Sequence, residues 1–141
     1  YYYLLLGQYA QTSRLIDSSA NRGLVVADTN SLVTKAYYDY YLKESPVQDE
    51  ETDTFDNLFA SILSKEKWDL ILFAEPVGAY VNDGFRDMSM ADEAIRSDFS
   101  SYLKKLKEQC LAHIPTVYLA GSYLDNYQVA KEAIDMIYQA D

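Results

Sequence analysis

One cysteine and one histidine are all that this chain of 141 residues holds of the side chains most used for soft-metal ligation and thiol or imidazole catalysis. Cys110 alone closes no internal disulfide, so a disulfide framework is excluded and a reducing cytoplasm is the expected setting. Cys110-Leu111-Ala112-His113 offers two ligands where a structural zinc site takes four. The expected role of Cys110 is instead to close the apolar face of a helix, with His113 in the turn that follows. No motif around His113 supports Ser-His-Asp catalysis. Cationic side chains are also scarce: 12 Lys and Arg against 22 Asp and Glu leave a formal net charge of -10. That balance argues against a general nucleic-acid binder, which needs a basic face to neutralise phosphates, while leaving room for a few local arginines to hold a small anion. No apolar run approaches the ~20 residues that span a bilayer, and the first residues show no signal-peptide pattern, so a soluble chain with no membrane partner is expected. Of the five glycines, none is followed by Lys-Ser or Lys-Thr, so the phosphate-gripping loop G-x-x-x-x-G-K-[ST] is missing from these residues.

What is present is an apolar fraction of 49%, enough to bury a core in one domain spanning 1–141. Helical spacing of Leu5, Tyr9, Thr12 and Ile16 predicts a first helix over 1–21, stopped at Asn21-Arg22-Gly23. A short apolar strand over 24–27 ends at Asp28-Thr29-Asn30, and helical spacing returns over 31–43. The acidic stretch 44–56 contains Pro46 and reads as an exposed connection rather than a metal cage. A helix over 54–65 leads to a second strand, 70–74, stopped by Glu75-Pro76; its uncharged run suits a strand covered on both faces. Asp92 is a plausible N-cap for a helix to about 109, with Ile95, Phe99, Leu103, Leu106 and Cys110 as its buried stripe. A third strand, 116–120, and a last helix through Tyr127, Ala130, Ile134 and Ile137 complete the order. Strands alternating with crossover helices predict an α/β fold, a three-layer parallel sheet flanked by helices.

In such a sheet the strands' carboxyl ends share one edge and line a cleft. The loop after the second strand carries Tyr80, a stacking face; Asp83, a hydroxyl acceptor; Gly84, a position for close approach; and Arg86, a fork for phosphate oxygens. Asn82-Asp83-Gly84 is equally ordinary surface-turn chemistry. Arg96 lies beside the buried stripe of its helix and is placed to point across a cleft. An apolar strand ending in Asp28 has the form of the second nucleotide-binding motif of phosphate-loop proteins, whose carboxylate holds magnesium directly or through water. Asp28-Thr29-Asn30 is also placed to cap the helix beginning near Ser31. A phosphate-gripping lysine would lie on a strand and loop before Tyr1, so the domain is expected to be incomplete at its front. Without that strand the sheet would expose an unpaired interior edge.

The succession Leu6-Gly-Gln8, Val25-Val-Ala-Asp28-Thr-Asn-Ser-Leu-Val-Thr34, Asp69-Leu-Ile-Leu, Tyr80-Val-Asn-Asp83-Gly-Phe-Arg86-Asp, Arg96-Ser-Asp-Phe99 and Gly121-Ser-Tyr123 resembles the ribosylnicotinamide kinase domain of NadR-type proteins over nearly the whole chain. The resemblance implies ATP- and magnesium-dependent phosphorylation of nicotinamide riboside, or a related nucleoside, for NAD synthesis. By the same resemblance Asp28 is the second-motif carboxylate and magnesium contact, and Arg86 and Arg96 are lid arginines acting on the transferring phosphoryl group. Asn30, Thr34, Tyr80, Asp83 and Gly84 are implied to bind the nucleoside, and Gly121, Ser122 and Tyr123 to form the adenine-side loop. Two positions depart from the pattern. Asn30 stands where a second aspartate is common, and Tyr80 where tryptophan is frequent, giving a smaller stacking face. The segment 44–56 is longer than in typical members. Competing expectations are a nucleotide or NAD-precursor sensor without turnover, and a scaffold forming a homo-oligomer through the tyrosine-rich first helices.

Overall fold

Leu5 and Thr12, seven residues or about two helical turns apart, fall on one helix face, and they are the two buried residues of α1 (Tyr2–Ser18). The computed structural model of the protein describes residues 1–18, 23–42, 49–78, 80–84 and 88–139. These fall into two units, Tyr1–Glu66 and Lys67–Asp141.

In the first unit α1 packs with α2 (Ser31–Leu42) and α3 (Asp49–Leu63), each helix touching the other two. Leu5, Leu32, Ala36, Tyr38, Phe55, Phe59 and Ile62 form the core. Tyr38 and Phe55 stack with centroids 3.7 Å apart, and Tyr2 meets Phe55 edge-on at 5.6 Å. Lys35 joins α2 to α3, its Nζ 2.5 Å from Asp39 Oδ1 and 2.8 Å from Asp56 Oδ1. Burial alone would lower the Lys35 ammonium, but its hydrogen bonds and attraction to the two carboxylates outweigh that and hold it above the ordinary lysine value.

Two expectations are corrected in this unit. The acidic stretch is not a connection throughout, because α3 starts at Asp49. Acidic residue types favour a helix's first turn, where the macrodipole is positive, so a run of them reads better as a helix start. Its earlier part, 43–48, lies outside the described residues, as do 19–22 at the expected end of the first helix. Residues 24–27 run without helix or ladder, and Leu24 and Val26 are exposed. A strand exists only by pairing its backbone with a neighbour, and among the described residues the single sheet has two strands, neither of them here.

Those strands, β1 (Ile71–Ala74) and β2 (Thr116–Leu119), belong to the second unit and pair in parallel, from Ile71 opposite Thr116 to Ala74 opposite Leu119. The ladder is extended at both ends by Ile71 N–H to Pro115 O and Glu75 N–H to Leu119 O, each 2.9 Å. Parallel neighbours need a crossover. Here a 3-10 turn (Met88–Ala91) and α4 (Glu93–Cys110) supply it. Asp92 starts α4 as expected, its Oδ1 accepting from Ala94 N (2.7 Å) and Ile95 N (3.3 Å). After β2, α5 (Tyr123–Gln139) returns against that strand.

Phe73, Met90, Leu106 and Leu111 are the buried apolar residues of this unit among those described. Of the expected α4 stripe Leu106 is buried and Ile95, Phe99, Leu103 and Cys110 are half-buried; His113 is exposed in the turn after the helix. β1 is less covered than its uncharged sequence predicts, with Phe73 alone buried, because among the described residues its sheet has one other strand and one edge of the pair stays unshielded. α5 has no buried residue. The architecture is α/β.

Candidate functional site

The first cluster is built on Gln8, which reaches from α1 to the segment leading into α2. Its amide lies 2.6 Å from Thr29 Oγ1 and 3.1 Å from Thr34 Oγ1. Turned so that its oxygen accepts from Thr29 Oγ1 and Asn30 N (3.2 Å) and its nitrogen donates to Asn30 O and Thr34 Oγ1 (both 3.1 Å), the amide satisfies every neighbour, and we adopt that orientation. Thr29 has φ 67°, in the left-handed region. For a β-branched residue that conformation costs of order 1–3 kcal/mol and persists only where surroundings impose it. Gln8 is what imposes it.

Asp28, immediately before, is exposed. Asn30 caps α2, its Oδ1 accepting from Leu32 N at 3.1 Å. Ser31, fully buried, donates to Glu66 Oε2 at 2.7 Å. The capping alternative for this tripeptide is therefore realised by Asn30, while Asp28 stays at the surface beside a strained residue. Because one amide serves four polar groups, Gln8→Leu is expected to lower the unit's stability by about 1–3 kcal/mol. A urea midpoint within error of the wild type would refute that role.

Sequence reasoning did not assign Gln8 to the site, although a signal was there. Leu5, Gln8 and Thr12 share one helix face, and a polar amide within a buried stripe has to be answered by polar partners.

The second cluster lies at the carboxyl ends of β1 and β2, which the parallel register brings to one edge of the sheet. After β1, Tyr80 is half-buried and the Arg96 guanidinium lies over its ring, 5.4 Å from Cζ to centroid. Arg96 Nη1 also donates to Met90 O (3.0 Å) and Ala91 O (2.6 Å) of the 3-10 turn. Two sequence-predicted residues are thus in contact, and Arg96 folds back along its own helix start rather than reaching outward. Asp83 is exposed. Gly84 has φ 81° and its N–H donates to Asn82 Oδ1 at 2.9 Å, so the segment does form a turn, and its left-handed corner requires glycine. Arg86 lies outside the described residues.

After β2, Ser122 caps α5: Asp125 N donates to its Oγ (3.2 Å), which donates in turn to Asp125 Oδ2 (2.7 Å). Gly121 N–H donates to Asn126 Oδ1 at 2.9 Å, and a Cβ at Gly121 would come within 3.1 Å of Asp125 Cβ. Tyr123 is almost wholly exposed. The polar atoms of Gly121 and Ser122 are engaged in holding the loop's shape, while the Tyr123 ring faces solvent.

A tie below this edge was not foreseen. Glu75, the residue after β1, is ion-paired with Lys104 of α4, and Ser100 Oγ donates to its other oxygen at 3.4 Å. Lys104 Nζ lies 5.7 Å from the Phe73 ring centroid and 5.3 Å from that of Tyr118. One turn on, buried Lys107 donates to Glu108 Oε1 at 2.5 Å and Tyr118 Oη at 3.5 Å. The Glu108 hydrogen bond raises the Lys107 ammonium against the opposing effect of burial. The signal was the column Ser100, Lys104 and Glu108, spaced by one helical turn.

A parallel strand pair with a helical crossover and polar loops at its carboxyl edge is the unit of open α/β domains, which bind ligands at that edge. The chain belongs to the AAA domain family, whose model matches residues 4–125. No curated protein and no solved structure matches it. No helix among the described residues is long and apolar enough to cross a membrane.

Proposed function

We propose that the protein is an ATP-dependent kinase of nicotinamide riboside or a related nucleoside, yielding the mononucleotide for NAD synthesis in the cytoplasm. The observation that carries this reading is the ordered set of motifs from Leu6 to Tyr123, all within the stretch that matches the AAA domain family. The Tyr80–Arg96 contact adds support, since it places an aromatic face and a permanent cation together at the sheet edge where such ligands bind. On this reading residues 1–141 belong to one domain with a three-layer parallel sheet.

Asp28 would orient the attacking 5′-hydroxyl. Tyr80 and Asp83 would hold the base and the ribose, and Gly84 would allow Asp83 its approach. Asn30 and Thr34 would shape the nucleoside side through their ties to Gln8. Gly121, Ser122 and Tyr123 would border adenine, with Tyr123 supplying its ring. Arg86 and Arg96 would meet the charge of the phosphoryl group in transit. Magnesium fits the donor set: it characteristically takes one or two carboxylates and completes its shell with water and phosphate oxygens, and exposed Asp28 offers one such carboxylate. When bound there it would neutralise charge on the nucleotide phosphates.

The test is incubation of the full-length protein with ATP, magnesium and nicotinamide riboside. Stoichiometric mononucleotide is the expected result. Phosphorylation of a neighbouring nucleoside instead would move the substrate. Tight nucleotide binding with no transfer to any nucleoside would favour a sensor, a reading that Asn30 supports through its missing charge.

A further inference from the structure

We infer that Gln8 is a positioning residue for the Asp28 carboxylate: by clamping Thr29 in its left-handed conformation it sets the direction in which Asp28 leaves the chain, and the rate of phosphoryl transfer depends on it through Asp28. The catalytic half of this inference rests on the proposed function; the clamp is argued from the fold alone.

Asp28 is exposed, and among the described residues no hydrogen bond or ion pair steadies its side chain. Its aim is therefore set by the backbone. On the α2 side that backbone is anchored, since Asn30 Oδ1 accepts from Leu32 N at 3.1 Å and buried Ser31 donates to Glu66 Oε2 at 2.7 Å. Each residue has two soft torsions, so those of Thr29 stand between this anchor and Asp28, and a rotation there swings Asp28 as a whole. The rotation open to Thr29 is large, because a β-branched residue prefers negative φ and the observed value is 67°. Gln8 blocks it at two points. Its amide oxygen accepts from Thr29 Oγ1 (2.6 Å) and Asn30 N (3.2 Å), and its nitrogen donates to Asn30 O (3.1 Å), so the Thr29 side chain and the peptide after it are both held. Glycine would take this φ without strain but would offer the amide no hydroxyl to grip. Strain that a neighbouring side chain imposes in this way is characteristic of functional sites, where it fixes a reacting group in advance.

The test is steady-state kinetics on the full-length protein with ATP, magnesium and nicotinamide riboside, at a temperature where each variant is folded. Gln8→Leu is expected to lower kcat about ten- to hundredfold, the loss that follows when a reacting group is displaced by about an ångström, and to leave the KM for ATP unchanged. Adding Asp28→Asn to Gln8→Leu should lower kcat no further than Asp28→Asn does alone, since Gln8 acts through that carboxylate. Adding Thr29→Gly to Gln8→Leu should restore part of the lost kcat, because glycine enters the left-handed region unaided; Thr29→Val in the same background should restore none. Should the leucine variant fail to fold, Gln8→Glu, which keeps the acceptor for Thr29 Oγ1 and loses the donor to Asn30 O, carries the same comparisons. Wild-type kcat in the folded Gln8 variant, losses that multiply when Asp28→Asn is added, or equal recovery by glycine and valine overturns the inference. The clamp is also read without turnover, from the backbone carbon chemical shifts of Thr29, which are expected to leave the left-handed range in Gln8→Leu; unchanged shifts overturn it. A wild-type protein that transfers no phosphate would remove the kinase reading and the catalytic half with it, while those shifts would still decide the clamp.

Discussion

Asp28→Asn in the full-length protein is expected to lower riboside phosphorylation by about 10²- to 10⁴-fold, the range over which a positioned proton acceptor contributes, while leaving the melting temperature unchanged. The two halves of that expectation have separate grounds. Asp28 is exposed, and a surface substitution that keeps the side chain's shape usually moves stability by no more than about 0.5 kcal/mol. Its charge, by contrast, is what a reacting hydroxyl or a magnesium-bound water would need, and asparagine cannot supply it. Asparagine keeps the side chain's size and shape beside a backbone held by Gln8, so the comparison isolates charge. Nucleotide affinity should fall far less than turnover. A variant that is folded and turns over at the wild-type rate would remove Asp28 from the chemistry.

Phe55→Ala is expected to have the largest effect on folding, a loss of about 3–5 kcal/mol, as for other large-to-small changes at buried aromatic positions. Phe55 has no exposed surface and joins all three helices of its unit, stacked on Tyr38 of α2 and met edge-on by Tyr2 of α1. Aromatic pairs add about 0.5–1.5 kcal/mol each beyond the area they bury. Alanine would take away both ring contacts and leave a void at the point where the helices converge. Phe55→Leu keeps most of the volume and should lose markedly less. Equal destabilisation by the two, measured by urea denaturation, would show that the filled volume contributes nothing and that the whole loss lies in the ring contacts.

The helices were legible because their apolar residues keep a 3.6-residue period. Leu5 and Thr12 on α1, Leu32 and Ala36 on α2, and Phe55, Phe59 and Ile62 on α3 are all buried as their spacing predicts. Strands were legible only where a partner exists within the chain: 70–74 and 116–120 find each other, whereas Leu24 to Ala27 has the composition of a strand and no ladder among the described residues. Composition records the tendency to pair; the pairing itself belongs to the neighbour. At the candidate sites the residue types were readable but their hydrogen-bond partners were not. Asn30 and Ser122 carry the polar groups expected of binding residues, yet each caps a helix. The contact between Tyr80 and Arg96 spans sixteen positions and a turn of the chain, and no local period encodes it. The Gln8 hub needed three segments to meet.

The Glu75 tie fastens the end of β1 to α4. Lys104 and Ser100 grip the carboxylate from α4, and Glu75 N–H extends the ladder to Leu119, so strand end and crossover helix translate together under load. Immediately beyond, Val77 N–H donates back to Glu75 O at 2.8 Å around Pro76, whose ring fixes φ. The chain therefore leaves the sheet at a set angle. Beyond that corner Gly78 takes φ 86°, a backbone angle that glycine adopts freely, so the chain turns away from an anchored strand end.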